Sequence, residues 1–444
     1  MTQAITSLQR LTAREAKLCY AAARNPSVPE NQLSPMPASK PESSVVNAVA
    51  RVILKPRKAL PFFSRHPWVF QGAIDGIDGE AVAGDVVALH AHDGVFIAWG
   101  LFNPASNIGV RLYSWNEAEP LTDQFWQQRI DDAVGLRRVL FPSFNETLAC
   151  RLVYSEADGL SGLTVDRYGD WLMVQLTSFA LAQRKEILLQ RLRETLQPRG
   201  IWLRTEKGIR AAEGLELADG LLWGEEPPRP LYIEENGVRY GVDVSEGQKT
   251  GFFLDQRDNR RRIAEFVRGK RVLDVCCYTG GFSLNCLVNG GAAEVVAVDA
   301  SEAALAQARA NAELNGVADR LTTVKQDAFK ALEEFSARGE QFDTVILDPP
   351  KLARNRQGID AALRGYYSLN RFALGLIKPG GFLVTCSCSG HISHEMFVDM
   401  LGQAALHANR RLQLLEVRGS GADHPSSIHC LETDYLKCYL GRVL

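Results

Sequence analysis

The stretch VLDVCCYTGGFSL, residues 272–284, decides the fold of the C-terminal part of the chain. An apolar run carries Asp274, a turn follows at Gly280 and Gly281, and a helical segment comes next. A glycine turn between a buried strand and a helix lets a ligand approach the backbone closely. The stretch contains neither the G-x-G-x-x-G dinucleotide pattern nor a phosphate-binding Lys-Ser/Thr pair. We therefore expect a ligand without a pyrophosphate.

The same alternation of strand, turn and helix continues on both sides of this stretch, from about residue 241 to the end of the chain. The expected strands are VLDVCC, EVVAVDA, LTTVKQDA, FDTVILDPP and GFLVTCSCS. Helical segments separate them, which is typical of a doubly wound parallel sheet. Residues 241–444 are therefore predicted to form a Rossmann-like α/β domain whose ligands bind at the carboxyl ends of the strands.

Acidic residues follow successive strands of this domain. Asp299 ends the second strand, where a carboxylate can accept both ribose hydroxyls. Asp327 follows the third strand and can accept from an adenine amino group. Together with Asp274, this ordered set predicts S-adenosylmethionine as the cofactor, although Tyr278 fits either the cofactor or the core. The residues expected at the cofactor are Asp274, Tyr278, Gly280, Asp299, Ala300, Asp327, Ala328 and Asp348.

The upstream sequence changes character three times. Residues 1–44 carry five prolines and are predicted to be a disordered extension or linker. An organelle transit peptide, or a true start near Met36, remain alternatives. Short branched runs over 45–118 predict a compact β-barrel domain. Mixed helical and strand patterns over 119–240 predict an α+β middle domain.

The composition restricts the class of protein. The 444 residues suffice for two or three domains, and 46% hydrophobic with 23% charged residues is an ordinary globular balance. A net charge of −2 gives no global attraction to nucleic acid, so RNA would bind through local patches. Nine cysteines without zinc-ligand spacing predict a reduced, cytoplasmic protein and no metal. No run of 18 apolar residues occurs, so we expect no membrane partner.

These motifs resemble those of class I methyltransferases. The stretch SEGQKTGFFLDQRDNRR, residues 245–261, resembles the signature of the bacterial 23S ribosomal RNA 5-methylcytosine methyltransferase family. HPWVF (66–70) and VAGDVVAL (82–89) resemble the RNA-binding PUA domain of that family. Further likeness lies in ADGLSGLTVDRYGD (157–170), DHP (423–425) and YLK (435–437), so the resemblance covers nearly the whole chain from about residue 50. It implies a PUA-like first domain, 23S rRNA or a large-subunit precursor as partner, and a homodimer.

Methylation at carbon 5 of cytosine needs a nucleophile. A thiolate that adds to carbon 6 makes carbon 5 enamine-like, so covalent catalysis lowers the barrier. VTCSCSG, residues 384–390, ends a predicted strand, and Cys388 aligns with the nucleophile of the family. Cys386 lies two residues earlier and would point to the same face, which leaves open which thiol attacks.

Asp348 opens the motif DPPK, in which Lys351 stands where amine-methylating enzymes carry an aromatic residue. We expect Asp348 to bind the protonated N3 of cytosine, and give it a second, weaker role as the base. No residue is identified firmly as the group that removes the carbon-5 proton. Two alternatives remain: methylation of another RNA base or an amine without a covalent step, and a non-catalytic RNA-binding assembly factor.

Overall fold

The computed structural model describes residues 50–444 except Glu146, Glu206, residues 245–250 and Arg354. The extension expected at 1–44 lies outside the described residues. So does the first part, 245–250, of the signature stretch.

The N-terminal part forms a six-stranded mixed sheet. Its strands are β1 Arg51–Leu54, β2 Trp68–Phe70, β3 Ile74–Asp78, β4 Val86–His90, β5 Phe96–Phe102 and β6 Ile108–Ser114, with helix α1 Leu60–Phe63 between β1 and β2. The spatial order is β2-β6-β5-β4-β1-β3. The segment DGIDGE (75–80) is rich in the turn-forming residues Asp and Gly, yet β3 runs into it because its backbone pairs with β1. Asp and Gly disfavour strands locally, and the pairing at a sheet edge overrides this preference.

The middle part places helices against a five-stranded sheet. Its elements are α2 Asp123–Leu140, β7 Ala149–Tyr154, β8 Leu163–Tyr168, β9 Trp171–Leu176, α3 Phe179–Ala182, α4 Lys185–Leu196, β10 Gly200–Leu203, α5 Lys207–Glu213 and β11 Gly220–Gly224. The spatial order is β11-β10-β9-β8-β7. Residues 151–178 contribute to three strands, and Gly169 and Asp170 make a two-residue turn between β8 and β9.

A two-stranded hairpin and a seven-stranded sheet complete the chain. The strands are β12 Leu231–Glu235, β13 Val238–Val242, β14 Arg271–Val275, β15 Glu294–Asp299, β16 Leu321–Lys325, β17 Phe342–Leu347, β18 Ile377–Ser387, β19 Leu412–Arg418 and β20 Lys437–Val443. The helices are α6 Arg257–Ala264, α7 Gly281–Val288, α8 Glu302–Leu314, α9 Ala328–Ala337, α10 Ile359–Leu376 and α11 His394–His407. The sheet order is β16-β15-β14-β17-β18-β20-β19.

The strands from β16 to β18 are parallel, as predicted, whereas β20 pairs antiparallel with both β18 and β19. The order of the sheet reverses between β14 and β17. Ligands of open α/β sheets bind outside the carboxyl ends of the strands at such a switch point. This topology therefore brings the ends of β14, β15, β17 and β18 to one ligand-binding edge.

Buried polar contacts join the three parts. Glu213 at the end of α5 is buried, accepts from Ser106 Oγ at 2.6 Å and pairs with Arg111 at 3.0 Å. Arg137 in α2 donates to the backbone oxygen of Asp423 at 2.8 Å. Within the part of the chain that the structure describes, no helix is long and apolar enough to span a bilayer.

His66, Cys430 and Glu432 form a cluster of metal-ligand types between the N-terminal sheet and the C-terminal segment. His66 Nε2 lies 3.5 Å from Glu432, and Cys430 Sγ lies 3.4 Å from the same carboxylate. His66 Nδ1 accepts from the backbone N–H of Trp68 at 3.3 Å, which leaves the ring proton on Nε2. A protonated Nε2 donates to Glu432, so the contacts favour a hydrogen-bonded cluster over a metal site.

Candidate active site

The register of the sheet brings the chemically active residues to one edge. Val275 pairs with Val298 and with Leu347, and Leu347 pairs with Thr385. Asp299 ends β15, whereas Asp348 and Cys388 follow the last residues of β17 and β18. The structure thus brings the predicted cofactor carboxylate and the two predicted catalytic residues to the same side of the sheet.

Asp274 differs from the other carboxylates because its side chain is fully buried. Its Oδ2 accepts from the backbone N–H of Ser283 at 3.0 Å and from Ser283 Oγ at 2.6 Å. Its Oδ1 has no hydrogen-bond partner among the described residues. Burial raises the pKa of Asp274, the Ser283 hydrogen bonds oppose the rise and the nearby Asp348 adds to it, so that the pKa lies at about 7. Asp274 therefore binds the first turn of α7, directly after the glycine turn, and its Oδ1 remains available as an acceptor.

The raised pKa makes folding stability depend on pH. In the unfolded chain an aspartate titrates near 3.9. Below that pH the carboxyl is protonated in both states, so its burial costs least. As pH rises from there through about 7, the unfolded chain gains the charge before the folded one and the fold loses stability. Asp274→Asn copies the protonated acid. We expect the cofactor-free variant to gain roughly 2–4 kcal/mol over the wild type at pH 8 and almost nothing at pH 4.

Urea unfolding of both proteins at pH 4, 6 and 8 measures this difference. Asp319→Asn, at an exposed site, is the control and should show no such trend. A difference that stays constant with pH would contradict the buried, protonatable carboxyl.

The turn after β14 has the backbone form that a closely held ligand needs. Gly280 has φ +85°, and a Cβ at this position would lie 3.3 Å from Cβ of Ala308. Tyr278 has φ +50°, its backbone N–H donates to Asp299 Oδ2 at 2.9 Å, and its hydroxyl donates to the backbone oxygen of Gly251 at 3.3 Å. Asp299 Oδ1 accepts from the N–H of Ser301 at 2.9 Å. Both oxygens of Asp299 are fixed, and each keeps a lone pair for a hydroxyl.

Asp327 has a structural role that the sequence analysis did not assign. It is the N-cap of α9, and its Oδ1 accepts from the N–H groups of Phe329 and Lys330 at 3.0 and 3.2 Å. Asp327 and Ala300 are exposed, and Ala328 is half-buried. The cap alone accounts for an aspartate at this position. Its proposed contact with adenine would be a second role for the same carboxylate.

The two neighbouring thiols have different surroundings. Cys386 is fully buried, and the register sets it opposite Cys438 of β20. The hydrogen bond with Cys438 is the larger cause and burial the second of a pKa of Cys386 well above its ordinary value. Cys388 lies beyond the end of β18, is half-buried, and its Sγ is 4.0 Å from the backbone oxygen of Pro349. Of the two, Cys388 has the surroundings that a nucleophile needs, because it adjoins the DPPK turn and is partly exposed.

Comparison with known proteins agrees with this arrangement. Residues 216–417 match the family profile of S-adenosylmethionine-dependent methyltransferases, and residues 52–115 match that of PUA-like domains. The ribosomal RNA large subunit methyltransferase I of Photobacterium profundum is 42% identical over 381 residues, covering 85% of this chain and 96% of its own. The protein of the same name from Shewanella amazonensis is 41% identical over 394 residues, 88% and 99% of the two chains. The chain belongs to the ribosomal RNA large subunit methyltransferase I family.

Members of this family are S-adenosylmethionine-dependent, so the predicted cofactor is confirmed. A solved candidate S-adenosylmethionine-dependent methyltransferase from Streptococcus mutans has the same fold, with a TM-score of 0.75, 20% identity, and coverage of 88% of this chain and 99% of that chain. The predicted fold class, a PUA-like domain ahead of a Rossmann-like methyltransferase domain, is therefore confirmed as well.

Gln256, a buried neighbour of Asp348, was not predicted from the sequence. Gln256, directly before α6, is buried and its Nε2 donates to Asp348 Oδ1 at 3.0 Å. It belongs to LDQRDN, a part of the stretch that resembles the family signature. Ninety-two residues separate it from Asp348, so no local pattern joins the two.

Proposed function

We propose that this chain transfers a methyl group to carbon 5 of a cytosine in 23S ribosomal RNA, with Cys388 as the nucleophile. The observation that supports it most is the placement of the half-buried Cys388 thiol beside the DPPK turn, 4.0 Å from the oxygen of Pro349. The alternative thiol, Cys386, is fully buried on β18, opposite Cys438 of β20.

The proposed chemistry assigns a role to each group. S-adenosylmethionine supplies the methyl group. As Cys388 Sγ forms a bond to carbon 6 of the base, the proton of its thiol passes to N3, and Asp348 accepts a hydrogen bond from the new N3–H, so the negative charge never develops fully on the ring. The electron pair of the broken 5,6 double bond makes carbon 5 nucleophilic. After methylation, loss of the carbon-5 proton restores the double bond and expels the thiolate.

The cofactor residues carried over from the sequence remain part of the proposal. Asp274, with an unpartnered buried oxygen, and the Gly280 turn fit a ligand held close to the backbone. Asp299 would hold the ribose, with Tyr278 and Ala300 beside it, and Asp327 and Ala328 would face the adenine. Asp348 would lie where the methyl-bearing end of the cofactor meets the base.

Loss of the Asp299 carboxylate should weaken cofactor binding. For Asp299→Ala we expect the Kd for S-adenosylmethionine to rise roughly 10- to 100-fold, which matches about 1.5–3 kcal/mol for hydrogen bonds to a charged group. Isothermal titration measures it, with Asp319→Ala at an exposed position on the same domain as control. Unchanged affinity would remove Asp299 from the cofactor site.

The substrate assignment rests on the relatives, which are named as large-subunit ribosomal RNA methyltransferases, and on the PUA-like domain. We propose 23S rRNA or a large-subunit precursor as the partner, a cytoplasmic location, and a homodimer as the working assembly.

Incubation with tritiated S-adenosylmethionine and unmodified 23S rRNA tests the function. Label in 5-methylcytosine is the expected result. Label in another base or in an amine, without a trapped adduct on RNA that contains 5-fluorocytosine, would instead support the non-covalent alternative. Tight RNA binding without turnover would support an assembly factor.

A further inference from the structure

A chain of buried amides leads from the surface to Asp348. Gln256 Nε2 donates to Asp348 Oδ1 at 3.0 Å, and Gln256 Oε1 accepts from Asn259 Nδ2 at 2.7 Å. Asn259 Oδ1 in turn accepts from Arg418 Nε at 2.9 Å. Gln256 and Asn259 are 2% and 1% exposed, so these bonds are not exchanged for bonds to water.

The direction of each bond in this chain is fixed by Arg418. A guanidinium only donates, so it requires the oxygen of Asn259 and turns the Asn259 NH₂ towards Gln256. The same NH₂ donates to the backbone oxygen of Gly419 at 3.0 Å, which fixes the orientation a second time. Asn259 therefore requires the oxygen of Gln256, and only the Gln256 NH₂ remains for Asp348.

Arg418 is itself held in place. It lies at the end of β19, where Nη1 pairs with Glu416 at 3.1 Å, and Glu416 also accepts from Arg262 Nε at 2.7 Å. Arg418, at one end of the amide chain, is thus held by an ion pair. Gln256, at the other end, can act on Asp348 only as a hydrogen-bond donor.

From this geometry we propose that Gln256 is a positioning residue that orients Asp348 and favours its ionised form, with Asn259 and Arg418 setting the direction of the Gln256 amide. A donor to a carboxylate stabilises the charged form. The inference rests on the proposed function, in which an ionised Asp348 accepts a hydrogen bond from the protonated N3 of cytosine.

Several acidic groups around Asp348 oppose its ionisation. Asp274 of β14 and the thiols of Cys276 and Cys386 interact with Asp348 from neighbouring strands, and Cys388 follows the end of β18. When ionised, an acid or thiol disfavours a second negative charge. The Gln256 NH₂ opposes that repulsion.

Gln256→Glu is the sharpest variant, because it keeps the shape and replaces the donor by a carboxyl. We expect the acid limb of the pH profile for single-turnover cytosine methylation to move up by at least about one pH unit, because two adjoining carboxyls share a proton. At a pH on the acid limb the rate should fall by at least about 10-fold, with Kd for S-adenosylmethionine within twofold of the wild type.

Gln190→Glu is the matched control, since Gln190 Nε2 also donates to a carboxylate, that of Glu194, at 2.8 Å on the exposed side of α4. Its profile should equal that of the wild type. Arg418→Met covers the case in which Gln256→Glu does not fold: it is made at a partly exposed side chain and should shift the acid limb in the same direction by a smaller amount.

The outcomes separate the two proposals. Parallel profiles for wild type, Gln256→Glu and Arg418→Met would overturn the role of the amide chain and leave the proposed function standing. Absence of 5-methylcytosine with the wild-type enzyme would overturn the proposed function itself.

Discussion

Replacement of Cys388 by alanine should lower the rate of cytosine methylation by at least about 10³-fold, because the base would lose the covalent step that activates carbon 5. Cofactor binding should be unchanged, since Cys388 is not among the residues expected to hold the cofactor. Single-turnover transfer of a tritiated methyl group to 23S rRNA measures the rate, and isothermal titration measures the affinity.

Cys386→Ala is the control on the same strand. This thiol lies opposite Cys438 inside the sheet, so its loss should reduce stability slightly and leave methylation within about tenfold of the wild type. A covalent complex with 5-fluorocytosine RNA should form with Cys386→Ala and be absent with Cys388→Ala. The reverse pattern would assign the nucleophile to Cys386, and full activity of both variants would exclude covalent catalysis.

The order of elements in the catalytic domain could be predicted because parallel strands buried on both faces are continuous apolar runs. The antiparallel strands β19 and β20 could not. Leu414 and Val417 on the edge strand β19 are exposed, and a loop of 18 residues separates it from β20. Their pairing is a long-range contact that no local period signals. The pairing of β3 with β1 is another contact of this kind.

The site residues that could be predicted are reactive side chains at or directly after the end of a recognisable strand. Asp299, Asp348 and Cys388 were found in this way, and the sheet brings them to one edge. Gln256 could not be found, because a polar residue at the start of a helix normally faces solvent. The roles of the site residues, and the domain boundaries near 118 and 240, stay predictions.

The hairpin residues Leu231 and Tyr240 share a core cluster with both the middle sheet and the catalytic sheet.

Asp423→Asn should be the most destabilising of these changes. Asp423 is fully buried, its Oδ2 lies 3.1 Å from Arg257 Nη1 and accepts from the backbone N–H of Arg151 at 2.9 Å, and its Oδ1 lies 3.1 Å from His424. Removal of its charge leaves the buried Arg257 with only the more distant Glu235, at 4.0 Å, to neutralise it, which costs about 3 kcal/mol. Because Arg151 belongs to β7 and Arg257 to α6, the loss should loosen the middle sheet from the catalytic part.

The pH dependence gives this prediction a sign. Burial alone would raise the pKa of Asp423, but Arg257, then His424 and the hydrogen bonds, hold it well below its usual range. A depressed pKa contributes stability above the unfolded value of about 3.9, and this stability is lost as pH falls through the folded value. The difference between wild type and Asp423→Asn in urea unfolding should therefore be full at pH 7 and shrink below about pH 4. Asp132→Asn, at a half-exposed surface pair, should cost less than about 1 kcal/mol at any pH. An equal loss in both variants would mean that the buried ion pair does not join the two sheets.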